Sequence, residues 1–338
     1  MNIRNNESLK QYTTLQVGGV AEYFVDVDSE VQLEKVAQYA EEHAVPVAVL
    51  GGGSNILVSE LGVQGMVIKM SIKGISFTEK NDQVYLTVGA GESLDEVVQY
   101  AVKNGFWGIE NLSHIPGTAG AAPIQNVGAY GVETKDVLET VRVYNLETKA
   151  FEDLPAGDCD FGYRDSLFKK TEGKKYVVVS VTFVLSTQKS PVLSYRDLQS
   201  RFGDAQPSLE EIRQAVIEIR AGKFPDWKVV GTAGSFFKNP VLPNRKFEEL
   251  SARYPDLPGY PSGDTDTKIP LGWILDKVLH LKGVGNKKVG TYQGQALVLI
   301  NKGEATADDF VQYATEITQK VQEEIGVDVE WEVTRLGF

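Results

Sequence analysis

Apolar and polar positions recur with two periods along the chain, and together they predict an α+β protein. Residues 20–27, VAEYFVDV, alternate in part as a strand does. Leu33, Val36, Ala37 and Ala40 then fall at helical spacing behind a Ser29/Gln32 capping pattern, and the helix ends before Pro46. A strand, VAVL, runs into three glycines. Beyond them GMVIKM and VYLTVGAG predict two more strands, and Ser93 with Glu96 opens a helix bearing Leu94, Val97, Val98 and Ala101. TVRVYNLETKAFEDL predicts a hairpin, and KYVVVSVTFVLS a long buried strand. Ser208 and Glu211 open a third helix with Leu209, Ile212, Val216 and Ile219 inward. Gly222 and Pro225 break it, placing a domain boundary at AGKFPDW. A helix at LGWILDKVL, a strand at QALVLIN, a helix from Thr306 to about Ile325 and a final strand VDVEWEVTRL are expected after it.

Composition narrows the class. With 338 residues, 42% of them hydrophobic and 24% charged, the chain has length for two or three domains with ample cores. No apolar run approaches a membrane span, and MNIRNNESLK lacks the apolar stretch of a signal peptide. Cys159 is the single cysteine, which rules out an internal disulfide and a cysteine-based zinc site. His43, His114 and His280 have no metal-ligand spacing, so no metal is expected. A net charge of −12 argues against a broad nucleic-acid-binding face, while leaving local lysines and arginines free to hold a small anion. The expectation is a cytoplasmic protein.

Five stretches carry candidate chemistry. GGGSN, residues 51–55, lacks the lysine of a Walker loop, and Ile56 stands where a dinucleotide fingerprint needs its third glycine. A strand–glycine turn–strand remains, able either to form an anion nest of N–H groups or simply to make a tight turn. IPGTAGAAPIQNVGAYG, residues 115–131, has small residues that let backbone lie against a flat ligand, and a long aperiodic stretch of this kind is usually functional. Arg164 in FGYRDSLFK could grip a carboxylate with its planar fork, or pair with Asp165 in solvent. Ser235 in GTAGSFFKNP lacks the G-x-S-x-G pattern and a nearby histidine, so it reads as a proton donor or a buried turn serine, not an acyl nucleophile. Glu330 and Glu332 are two apart on the final strand and should share a face, which by default is a solvated one.

Taken in order, these motifs resemble the UDP-N-acetylenolpyruvoylglucosamine reductase family (UDP-N-acetylmuramate dehydrogenases, MurB family). The likeness runs from YTTLQVGG at Tyr12 to VEWEVTRLG at the end, and VLSYRDL, GWILDK and QALVLIN point to its longer, type I branch. The resemblance implies three domains. Residues 1–71 and 72–222 would form a two-part FAD-binding unit of the PCMH/VAO-like kind. Residues 223–338 would form an α+β substrate-binding domain whose last strand could return to the second.

The resemblance also implies NADPH as co-substrate and FAD held without a covalent link, since Ser54 and Asn55 fill the end of the glycine loop. Leu50, Gly51, Gly52, Gly53, Ser54 and Asn55 would hold the FAD diphosphate. Ile115, Pro116, Gly117, Thr118, Gly120, Ala121, Gln125, Asn126 and Gly128 would line the flavin. The implied reaction adds hydride to the enolpyruvyl ether of UDP-N-acetylglucosamine, and negative charge builds toward the substrate carboxylate. Ser235 would give the proton, Arg164 would clamp the carboxylate, and Glu332 would sit near it. Tyr195, Lys223, Asn239 and Gln295 would bind the nucleotide portion of substrate or NADPH, and Tyr130 and Tyr163 would also contact the substrate. A monomer with no nucleic-acid or membrane partner is expected. The alternatives are another FAD-linked oxidase acting on a sugar or alcohol, and a non-catalytic flavin- or nucleotide-sugar-binding protein.

Overall fold

The long apolar strand expected near the middle of the chain, Tyr176–Ser186, is the central strand of a five-stranded antiparallel sheet in the computed structural model, which describes residues 2–338. The chain divides into two compact units. The first comprises residues 2–7, Ala21–Gly52 and Gln64–Ala221, and the second Ser8–Val20, Gly53–Val63 and Gly222–Phe338.

In the first unit the antiparallel sheet runs Ala150–Pro155, Leu138–Asn145, Tyr176–Ser186, Gln83–Gly89, Ile75–Lys80. A four-stranded sheet runs Arg4–Ser8, Val20–Val27, Val63–Met70, Val47–Leu50, its last pair parallel. Helix α1, Glu30–Glu42, buries Leu33, Val36 and Ala40. Helix α2, Leu94–Lys103, buries Leu94, Val97, Val98, Ala101 and Val102. Both stripes lie at the spacing the sequence predicts, and Leu33, Val36, Val97, Val98, Ala101 and Val102 join Met66, Ile68, Leu86, Val181 and Phe183 in one core. Helices α3, Arg196–Phe202, and α4, Leu209–Lys223, complete this part of the chain.

Caps divide in two. Ser208 and Glu211 form the expected reciprocal cap on α4. Ser29 and Ser93 make no capping hydrogen bond. Instead Gln32 accepts from the Asp28 N–H, and Ser93 is drawn into a β-bridge with Thr118.

The second unit holds three small sheets. Thr232–Ser235, Val298–Asn301 and Val289–Thr291 form one, Val241–Pro243, Asp266–Lys268 and Tyr260–Ser262 another, and Ile56–Val58 pairs with Thr334–Leu336. Helix α5 spans Asn244–Arg253, and α6, Leu271–Trp273, continues into a π-turn at Ile274–Val278. Helix α7, Ala307–Ile325, starts at a Thr306/Asp309 capping box and stops at Gly326, whose φ of 63° suits glycine. Phe236, Phe237 and Phe310 anchor the core, with Phe236 and Phe310 stacked at 6.2 Å.

Several expectations need correction. The final strand covers only Thr334–Leu336, and it runs parallel to Ile56–Val58 instead of returning to residues 72–222. Residues 329–333 are held differently, by an isolated bridge between Trp331 and Phe237 and by a side-chain hydrogen bond from Asn55 to the Glu332 carbonyl. The stretch 115–131 contains short 3₁₀ turns at Ala119–Ala121 and Pro123–Gln125 and a tight hairpin from Gly128–Ala129 to Val132–Glu133. Its small residues hide these turns because each depends on backbone bonds to distant partners, such as Gly120 N–H to the Ala90 carbonyl at 2.9 Å.

Candidate active site

In the first unit, strand Val47–Leu50 delivers Gly51 and Gly52 against the segment Gly117–Ala121. A Cβ on Gly52 would lie 2.7 Å from the Gly117 Cα, and one on Gly51 would lie 2.8 Å from Thr118 Oγ1. At Gly52 backbone therefore packs on backbone, while Gly51 packs against the side chains of Thr118 and Ala121, and glycine alone leaves room for the first of these contacts. Lys69 Nζ donates to the Gly51 carbonyl at 2.7 Å, and burial lowers the pKa of this ammonium, against the pull of Asp26. The lining segment is held in turn by Ala119 N–H to Glu92 O at 2.8 Å and by Leu94 N–H to Gly117 O at 3.1 Å.

These residues fit a bound diphosphate and a flat ring. Among the described residues the N–H groups of Gly52 and Gly53 donate no hydrogen bond. Thr118 Oγ1 is buried without a partner. Gly53 and Thr118 are buried and Gly52 is half-buried, so these are donors that an FAD could take up, and a buried donor left unmet is costly.

Asn126 plays another part from the one expected of it. Its side chain is fully buried, donates to Glu133 Oε2 at 2.8 Å and to Gly162 O at 3.0 Å, and accepts from Lys135 N–H at 3.0 Å. Both amide protons are committed, so Asn126 braces the segment and has no donor for a flavin. Gln125 beside it is half-buried.

Through Gly162 that brace reaches the turn that carries Tyr163 and Arg164. Gly162 and Asp165 bridge across it, and Arg164 has φ of 55°. A non-glycine residue is held in the left-handed region at some cost, which favours a functional reason. Arg164 Nη2 donates to the Gly128 carbonyl at 3.0 Å, and its guanidinium lies 5.4 Å from the Tyr163 ring centre. The Arg164–Asp165 ion pair weighed from sequence is not formed.

Tyr130 and Gly131 sit at the tip of the neighbouring hairpin with φ of 50° and 90°. The Tyr130 and Tyr195 rings meet edge to face at 5.2 Å. Burial pushes the Tyr130 hydroxyl up to about 12 despite a hydrogen bond from Arg220. Arg220 was not anticipated. Its signal was available, since Arg213 and Arg220 lie seven apart on α4, two turns along the inward face.

In the second unit, Ser235 ends strand Thr232–Ser235 after Gly234, whose φ is 73°. The pairing with Val298–Asn301 is irregular between Thr232 and Ser235, and the buried Phe236 and Phe237 fix the chain immediately after. Ser235 is half-buried, and among the described residues its hydroxyl makes no hydrogen bond. Opposite, Glu332 N–H donates to Phe236 O at 2.9 Å. Asn55 Nδ2 donates to the Glu332 carbonyl at 3.1 Å, so the end of the glycine loop anchors the stretch that carries Glu332.

The two carboxylates left open by sequence are separated. Glu330 points outward, 77% exposed, in an ion pair with Lys238 at 2.8 Å, while Glu332 is half-buried. Asn239 Oδ1 accepts the Leu271 N–H at 3.0 Å and caps α6. Gln295 lies against Gly272 of that helix, and Lys223 is half-buried at the end of α4.

Comparison with known proteins bears on both units. Residues 21–149 match an FAD binding domain, and residues 226–336 match the C-terminal domain of UDP-N-acetylenolpyruvoylglucosamine reductase. The chain is 42% identical over 330 residues to the UDP-N-acetylenolpyruvoylglucosamine reductase of Salmonella typhi, covering 98% of this chain and 96% of the relative. It is 41% identical over 332 residues to that of Escherichia coli strain K12, with the same coverage. The structure of the reductase from Thermus caldophilus superposes with a TM-score of 0.67 at 26% identity, covering 99% of this chain and 98% of that one. This chain belongs to the UDP-N-acetylenolpyruvoylglucosamine reductase family.

Proposed function

We propose that the protein reduces the enolpyruvyl ether of UDP-N-acetylglucosamine to UDP-N-acetylmuramate for peptidoglycan synthesis, using FAD and NADPH. The observation that carries this is the match to the reductases along almost the whole of both chains, 98% and 96%. We further propose a cytoplasmic monomer with no nucleic-acid or membrane partner, with residues 223–338 as the substrate domain. No described helix is long and apolar enough to cross a membrane.

Bound FAD would supply hydride taken from NADPH. The chain's residues would do the rest. Gly52 and Gly53 would turn their N–H groups to the diphosphate, and Thr118 would face the cofactor with its hydroxyl. Arg164 would hold the substrate carboxylate in a bidentate grip and offset the charge that accumulates there. Ser235 would place its hydroxyl proton at the carbon next to the carboxylate, where a developing carbanion is basic enough to take it. Glu332, fixed through its backbone by Asn55 and Phe236, would sit at the same carboxylate and share a proton with it, since two bare carboxylates repel. Lys223, Asn239, Gln295, Tyr163 and Tyr195 would receive the nucleotide.

Ser235→Ala tests the assignment under anaerobic conditions. NADPH should bleach the flavin of the variant at the wild-type rate, while the enolpyruvyl nucleotide sugar should fail to restore the colour. Equal loss of both halves would remove Ser235 from proton transfer. Wild-type protein whose bleached flavin ignores the sugar would overturn the substrate.

A further inference from the structure

One buried polar network in the first unit joins two segments with different expected ligands. Arg213, 6% exposed on α4, grips Asp95 at the start of α2 through two hydrogen bonds of 2.6 and 3.1 Å. Asp95 Oδ1 also accepts the His114 N–H at 2.5 Å. Burial alone would raise the Asp95 pKa, but Arg213 and the His114 N–H together hold it below its usual value. Two turns along α4, Arg220 Nε donates to the carbonyl of the same His114 at 3.0 Å. His114 has φ of 60°, so its strained peptide is held at both ends, one residue before Ile115 opens the cofactor-lining segment.

The guanidinium of Arg220 has a second task. It donates to the Tyr130 hydroxyl, and the Tyr130 ring supports Tyr195 edge to face. Asn111 Nδ2 fixes the surrounding backbone by donating to Tyr130 O at 2.7 Å and to Val192 O at 2.9 Å. Arg220 is therefore the side chain that touches both the residue before the cofactor-lining segment and the support of Tyr195. A planar fork can satisfy two acceptors in fixed directions at once, whereas an ammonium on a flexible stem cannot hold that geometry.

We infer that Arg220 is a positioning residue that couples the cofactor-lining segment to the Tyr195 support, so that FAD and the nucleotide sugar strengthen one another's binding. The inference rests on the function proposed above, with Tyr195 taken as a nucleotide contact. Coupling between two ligands must be reciprocal, and typical couplings run from about 5-fold to 150-fold.

The experiment is a titration of apoprotein with FAD, followed by the quenching of its fluorescence, with and without saturating UDP-N-acetylglucosamine enolpyruvate. NADPH is omitted, so no turnover occurs. Wild-type protein should bind FAD about tenfold more tightly when the sugar is present. Arg220→Met and Tyr195→Ala should each bring that ratio to within about twofold of unity, and Arg220→Lys should lie between. Should Arg220→Met fail to fold, the lysine variant still decides the matter, an unchanged wild-type ratio in it overturning the inference. A merely structural arginine would weaken FAD equally with and without sugar and leave the ratio intact, which overturns the inference. A wild-type ratio of one, with the sugar bound, also overturns it while sparing the proposed function. Wild-type protein that fails to bind the sugar overturns both.

Discussion

Gly52→Ala should damage FAD binding through a single added methyl group. The new Cβ would lie 2.7 Å from Gly117 Cα, 3.1 Å from Gly117 C and 3.4 Å from Thr118 N, all backbone atoms. The nearest is short of ordinary contact by roughly 0.7 Å, and a close-packed backbone cannot yield that distance as a side-chain tip can. Gly52 is not among the residues with positive φ, so alanine meets no dihedral penalty and the effect is purely steric. Overpacking of this kind costs about 1 to 3 kcal/mol. Expressed in cofactor affinity, that is about a 5-fold to 150-fold weaker Kd for FAD. The assay is fluorescence quenching of FAD by the apoprotein, with the melting temperature of the apoprotein measured alongside. Gly157→Ala is the control, since a Cβ there meets nothing within 4 Å and its φ is ordinary. A Gly52→Ala protein with wild-type affinity and melting temperature would refute the close approach of the two loops.

Two further outcomes follow from the same geometry. Arg164→Lys keeps the positive charge and the same left-handed backbone cost, so it isolates the loss of the planar fork and of the bond to Gly128 O; the oxidative half-reaction should slow by about 100-fold in stopped flow, and near-normal turnover would remove Arg164 from carboxylate binding. Tyr130 is raised from 10.0 to about 12, so the folded state holds this proton more tightly than the unfolded chain; its contribution is full below pH 10 and is lost as pH rises toward 12. Tyr130→Phe should therefore flatten the fall in melting temperature over that interval, and an unchanged slope would show that Tyr130 is not held neutral by burial.

Local chemistry made much of this protein legible. The stripes of α1, α2 and α7, the buried strand Tyr176–Ser186 and the Ser208/Glu211 cap all depend on residues within a few positions of one another. Segments with weak periods were harder: Ile75–Lys80 is almost wholly exposed, and Asn244–Arg253 buries only Leu250, so neither had a core-facing pattern to show. The candidate site divides in the same way. Gly51–Gly53, Arg164 and Ser235 are conspicuous because glycine turns, a fork-shaped cation and a hydroxyl beside a glycine are unusual in any chain.

Which of these groups stays free was a different matter. Asn126 looked like a ligand donor until three partners, from positions 133, 135 and 162, claimed its side chain. Glu330 and Glu332 were indistinguishable by spacing; in the fold Glu330 is exposed and pairs with Lys238, while Asn55 and Phe236 anchor the backbone of Glu332. The amino-acid order determined helices, strands, turns and the kinds of chemistry at hand, because those follow from backbone propensity and burial over a single turn or strand. Tertiary structure alone decided which donors remain unspent, because a hydrogen bond between residues separated by a hundred positions exists only once the chain between them has folded.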